Sequence, residues 1–182
     1  MRRAPLVTCI VTLALAVCGC GYTTRGYITE AGYKTVYVEP FVNKINTTSE
    51  YAEGARFRTY FPLMENKITN AVVDRFNFEG SLRTAQREEA DLVLSGSLIN
   101  YRRETLRTAS GDDTPEEYRV TLFVNIKLVE NRTGKVLWEK NDFAGDATYF
   151  VSGAMASSES QAVEAASIDL ARRIVETTVE AW

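Results

Sequence analysis

Apolar and polar residues alternate most cleanly over residues 119–129. Val120, Leu122, Val124, Ile126 and Leu128 fall on one side, and Arg119, Thr121, Phe123, Asn125 and Lys127 on the other. A period of two predicts a strand with one buried and one largely polar face. Asn131-Arg132-Thr133-Gly134 reads as a hairpin turn, Gly134 supplying the positive φ such a turn needs. The next strand starts at Lys135, passes Trp138 and extends towards Tyr149. Upstream, the Glu88-Glu89 turn leads into a long strand from Leu92 to Leu106, with a short strand before it at Leu82–Ala85. Lys34–Val42 is rich in β-branched and aromatic residues, and Pro40 marks a strand end or edge, because it cannot donate to a ladder.

Two segments change to helical spacing. Met64, Ile68, Ala71, Val72 and Phe76 share one face of a helix over 62–76, with Pro62 suited to its first turn and Gly80 closing it. Val163, Ala166, Leu170, Ala171, Ile174, Thr178 and Trp182 line one face of a helix over 159–181. Ser158 and Gln161 form a capping box at its start. Asn43–Arg58 holds no period and reads as a loop. Two amphipathic helices with strands mostly between them predict an α+β fold, the helices covering the apolar face of one sheet. At 182 residues the chain suffices for one domain with a real core, residues 34–182.

The first twenty residues follow a different logic. A basic Met1-Arg2-Arg3 start precedes an apolar run over Leu6–Val17, too short to span a bilayer but suited to a secretory signal. Cys18-Gly19-Cys20 then occupies the cleavage zone, which resembles the lipobox of bacterial lipoproteins. Gly19 before Cys20 fits the cut better than the β-branched Val17 before Cys18, so Cys20 is read as the lipidated residue. The competing readings are lipidation at Cys18 and an uncleaved membrane anchor. On the favoured reading residues 1–19 are a signal peptide and 20–33 a lipidated tether. Cys9 and Cys18 leave with the signal, and the mature chain has neither a free thiol nor a disulfide. Several acyl chains such as palmitate on one cysteine hold a protein stably at a membrane. Gly21 in place of aspartate points to the outer membrane. Losing Arg2 and Arg3 leaves 19 basic against 24 acidic residues, a net charge near −5.

Charge and chemistry mostly exclude. A net charge of −3 for the whole chain argues against nucleic acid as a partner. There is no histidine, which removes the commonest general base and, with no free mature cysteine, zinc and soft-metal sites. Asp112, Asp113, Glu116 and Glu117 lack EF-hand spacing and read as an acidic hairpin loop rather than a calcium site. No G-x-S-x-G serine and no phosphate-cradling glycine loop occurs. Carboxylate pairs of the glycosidase kind exist in any acidic chain, and the reading is of a protein that is not an enzyme and carries no cofactor or metal. Asn46-Thr47-Thr48 and Asn131-Arg132-Thr133 match a glycosylation pattern but read as turns. Arg102, Arg103 and Arg107 precede the acidic turn, whose folding would bring Arg103 near Glu117 and Arg119. They form either cross-strand ion pairs or an anion-binding patch, together with Arg132 and Lys135 of the neighbouring hairpin.

Several phrases in order carry a resemblance. Cys20-Gly-Tyr-Thr-Thr-Arg-Gly26, KTVYVEPFVNK (34–44), ITNAVVDRF (68–76), ADLVLSGSLINYRRE (90–104), RTGKVLWE (132–139) and DLARRIVETTVEAW (169–182) resemble the LPS-assembly lipoprotein (LptE) family over essentially the whole mature chain. The resemblance implies two helices packed on one face of a mixed, roughly four-stranded sheet, at the periplasmic face of the outer membrane. It implies a plug within the large β-barrel LPS-assembly protein LptD, helping to assemble that barrel and contacting lipopolysaccharide. Only the lipidated cysteine carries over residue by residue, onto Cys20. The basic residues above remain candidates for lipopolysaccharide contact. Two other readings compete: a lipid-anchored regulator of an envelope enzyme across the periplasm, and a solitary carrier of an amphiphile. The fourteen residues from 20 to 33 are short for a periplasmic crossing.

Overall fold

In the structure, a computed structural model, the five apolar residues of the alternating stretch face a common core at 0–1% exposure. The described residues are 28, 31–45, 63–109, 111 and 114–179. The predictions that fall on Cys20, Pro62, Asn46-Thr47-Thr48, Asp112, Asp113, Trp182 and most of the loop after Asn43 lie outside them.

Chain order is β1 (Thr35–Val38), β2 (Val42–Asn43), α1 (Met64–Glu79), β3 (Arg83–Thr84), β4 (Leu92–Thr108), β5 (Pro115–Glu130), β6 (Val136–Phe150) and α2 (Glu159–Val179). The α+β class is as expected, two helices with a mixed sheet. The sheet has six strands rather than about four, in the order β3-β1-β4-β5-β6 with β2 also on β4. β1 runs parallel to β3 and β4, β2 is parallel to β4, and β4–β5–β6 form an antiparallel meander. The short strand expected at Leu82–Ala85 joins the sheet as β3, and β2 adds a separate strand of two residues. The expected strand over 34–42 is split in two at Pro40, whose neighbour Phe41 instead enters the core at 3% exposure.

α1 packs on β1–β3, α2 on β5 and β6, and the helices pack on each other. They run parallel: Lys67 meets Glu164, and further along both helices Arg75 meets Glu176. Met64, Ile68, Val72 and Phe76 of α1 are buried, as the spacing predicts, while Ala71 is half-buried. On α2 the predicted face is buried from Val163 to Thr178, widened by Ala162, Ser167 and Val175. α1 starts at Met64, after Leu63 in a left-handed conformation (φ 63°), and ends at Gly80 (φ 81°).

The capping box forms. Gln161 N–H donates to Ser158 Oγ at 3.2 Å, and Ser158 N–H donates to Gln161 Oε1 at 2.9 Å. Ser158→Ala is therefore expected to cost about 1 kcal/mol, read from urea unfolding. No change would mean that the cap is not holding the helix start.

Candidate functional site

The three arginines of β4 part ways. β4 alternates inward with Leu92, Leu94 and Leu98, and a register shift between Leu98 and Asn100 then moves the inward set to Tyr101. Arg103 follows Tyr101 onto the helix side. Its guanidinium pairs with Glu159 at the start of α2, Nη1 to Oε2 at 2.6 Å, with both side chains more than four-fifths buried. Tyr101 OH donates to the other oxygen of Glu159. The Arg103 guanidinium also lies 4.9 Å from the centre of the Tyr118 ring, which stacks on Tyr149 at 5.5 Å. Burial, then the Glu159 carboxylate, push the Tyr101 hydroxyl far above its usual range. Burial works against the Arg103 charge, but the charge and hydrogen bond of Glu159 outweigh it and raise that group further. Arg103 is thus a structural ion pair. The register sets it opposite Val120, so the expected approach to Glu117 and Arg119 passes to its neighbours: Arg107 opposes Glu117 and Glu104 opposes Arg119.

Arg102 and Arg107 stay exposed. Arg102 lies over the Phe123 ring at 5.0 Å, and Arg107 over Phe150 at 5.4 Å. Arg107 also pairs with Glu116 at 3.2 Å, and Arg102 is 3.8 Å from Glu104. From Glu104 to Thr108 every residue of β4 is exposed, so this end of the meander projects beyond the helices.

Arg132 and Lys135 lie at the other end. β5 joins the two hairpins, and its 16 residues separate them by roughly 50 Å. The structure therefore does not gather the five basic residues into one patch. Arg132 and Lys135 are exposed beside the chain's entry into the sheet. There Asp91 Oδ2 accepts from Lys34 N–H (2.8 Å), Thr35 N–H (3.1 Å) and the Thr35 hydroxyl (3.0 Å). The Lys34 N–H, opposed by slight burial, holds the Asp91 carboxyl below the usual range. Asn131 ties the turn down, its amide donating to the carbonyls of Arg87 and Ala90 at 2.6 and 2.8 Å.

Sequence reasoning missed how α2 finishes the sheet. Arg173 donates to the Ala144 carbonyl at 3.3 Å, and Asp169 Oδ2 accepts from the Asp146 N–H at 3.2 Å. Helix side chains thereby cover polar backbone groups of edge strand β6 and blunt that edge against pairing. Arg173 also pairs with Asp146 and Asp169, and Arg172 with Asp169 and Glu176. Burial pushes the Asp169 carboxyl up, but hydrogen bonds from Arg172 and the Asp146 N–H, with the Arg173 charge, hold it below the usual range. The i,i+3 and i,i+4 spacings are visible in sequence; the contacts to β6 are not. Among the described residues no group of three or more Asp, Glu or Cys side chains is placed to hold a metal ion.

The sequence profile of the family described as LptE, lipopolysaccharide-assembly, matches residues 33–178. No curated protein matches the chain. Among solved structures, a minor lipoprotein from Acinetobacter baumannii is similar at TM-score 0.48 and 14% identity, over 82% of this chain and 94% of that one. Rare lipoprotein B from Shewanella oneidensis gives 0.42 and 14%, over 81% and 96%. The PelC dodecamer subunit from Paraburkholderia phytofirmans gives 0.45 and 17%, over 81% and 88%. None of these reaches 0.5, and family membership rests on the sequence match.

Proposed function

The chain belongs to the lipopolysaccharide-assembly LptE family, and from that premise we propose that it is the lipid-anchored plug of an outer-membrane β-barrel, the LPS-assembly protein LptD. In this reading it assists barrel assembly and the insertion of lipopolysaccharide at the cell surface, and performs no catalysis itself. The observation that carries the reading is the match over residues 33–178, nearly all of the predicted domain.

The geometry supports it in two ways. A plug must be water-compatible against a lumen lined by polar side chains, and the sheet's outer face carries Arg119, Thr121, Asn125 and Lys127. The chain also enters the sheet at Lys34, beside the 131–134 turn, so the exposed end of the meander is the one remote from the tether. With Cys20 acylated at the periplasmic face of the outer membrane, fourteen residues extend at most about 50 Å. That keeps the domain close to its membrane and disfavours a regulator that must cross the periplasm. Arg102 and Arg107 at the remote end, and Arg132 and Lys135 at the near end, are then two separate candidate contacts for lipopolysaccharide.

Lipidation is tested by metabolic labelling with an alkynyl fatty acid. The native protein is expected to take the label and fractionate with the outer membrane, and Cys20→Ser to lose both properties. Label retained in Cys20→Ser and lost in Cys18→Ser would move the anchor to Cys18.

A further inference from the structure

The helix layer carries an apolar cluster that the core does not use. Phe78 is 81% exposed, more than any other large apolar side chain among the described residues, and Ile168 is 59% exposed. Both line an open groove of about 510 Å³ where α1 meets α2, together with Ala71, Asp74, Arg75 and Ala165. The sheet takes a different face of α1, that of Met64, Ile68, Val72 and Phe76. Apolar side chains gathered in this way mark a contact surface, where scattered ones would need no explanation.

Ala71, Asp74, Arg75 and Phe78 are spaced three, one and three, which is a single stripe of α1. Its charges are poorly answered within the chain. Asp74 is exposed and forms no ion pair among the described residues. The ion pair of Arg75 is a long one, 3.9 Å to Glu176, whose carboxylate already accepts from Arg172 at 2.7 and 3.0 Å. Arg75 Nε is buried without a hydrogen-bond partner, and the guanidinium lies over the Phe78 ring at 5.4 Å.

The stripe is its own complement. A helix lying antiparallel to α1 must offer a small residue to Phe78, a carboxylate to Arg75, a cation to Asp74 and a bulky apolar group to Ala71. Read in that order, those are Ala71, Asp74, Arg75 and Phe78 again. A two-fold axis crossing α1 at the 74–75 peptide makes every one of these contacts, each twice, as an isologous interface requires. We propose that this groove is a dimer interface and that its occupant is a second copy of the chain. Phe78 of each copy seats on the partner's Ala71, beside Ala165 and Ile168, and Asp74 of each faces the partner's Arg75. α1 ends beside the chain's entry into the sheet, where Arg83 opposes Thr35. The two tethers therefore leave from opposite ends of the dimer, and with the axis along the membrane normal both reach one membrane. Anchoring in a shared membrane raises the effective concentration of the second copy. The interface leaves the outer face of the sheet free, and it goes beyond the barrel reading without resting on it.

The test is energy transfer between donor- and acceptor-labelled copies of the full-length lipoprotein in vesicles of phosphatidylethanolamine and phosphatidylglycerol. The native protein is expected to give transfer above the random-encounter level, saturating with surface density. Phe78→Ser should weaken self-association at least about tenfold and leave the unfolding midpoint unchanged, because the side chain is exposed. Asp74→Lys and Arg75→Glu should each weaken pairing with themselves by setting like charges against each other. A mixture of these two variants should pair again, since the new lysine then faces the new glutamate while the native Arg75 and Asp74 face each other. Transfer at the random-encounter level in the native protein, unchanged transfer in Phe78→Ser, or a mixture no better than either variant alone overturns the dimer. Barrel capture by Phe78→Ser should be unchanged; its loss, with no self-association in the native protein, would give the groove to the barrel and rule out the second copy.

Discussion

Gly145→Ala is expected to destabilise the domain by about 3 kcal/mol, a fall in Tm of roughly 6–12 °C. Gly145 is buried in β6 where α2 crosses it. A Cβ added there would stand 2.5 Å from the backbone N, Cα and Cβ of Leu170. The obstacle is helix backbone with no flexible end to swing away. α2 cannot slide either: Asp169 holds the Asp146 N–H on one side, and Arg173 holds the Ala144 carbonyl on the other. The methyl must therefore lift the helix from the sheet and loosen Leu170, Ala171 and Ile174, all at most 1% exposed. Thermal and urea unfolding of the purified variant measure the effect. A loss below about 1 kcal/mol would show that α2 does not seat on β6 as closely as described.

Glu159→Ala is expected to cost about 3 kcal/mol. The substitution removes the carboxylate that neutralises the mostly buried Arg103 and accepts from Tyr101, a residue only 4% exposed. It also releases the first residue of α2 from β4 and so frees the start of the helix. The cost comes from the charge left behind and not from a large intrinsic worth of the pair. The combined variant Tyr101→Phe, Arg103→Met, Glu159→Leu should accordingly recover most of the lost stability. Urea unfolding of the native protein and both variants decides. If the combined variant is as unstable as Glu159→Ala, the loss comes from altered packing and the buried-charge account is wrong.

What local patterning encodes was legible. β5 shows all five predicted core residues in place, α2 its stripe and its capping box, and the 131–134 turn its glycine at φ 70°. These features depend on neighbours within a few residues. What escaped depends on partners far along the chain. The register shift after Leu98 changes which β4 residues face inward, and so sends Arg103 to a carboxylate 56 positions away. Gly145 reads as an ordinary strand glycine until Leu170 is set against it. The same distance effect separates Arg102 and Arg107 from Arg132 and Lys135: adjacent hairpins in sequence are opposite ends of a long strand in space.

The central claim is the barrel partner, and site-specific crosslinking in living cells tests it most directly. A photoreactive residue would replace Thr105 or Thr148, both exposed on the meander, in a C-terminally tagged chain, followed by extraction of the outer membrane in detergent. The account predicts a stoichiometric adduct with one large β-barrel, formed from the strands between 101 and 150 or their loops. Recovery of a cell-wall enzyme or a free amphiphile, with no barrel attached, would contradict it.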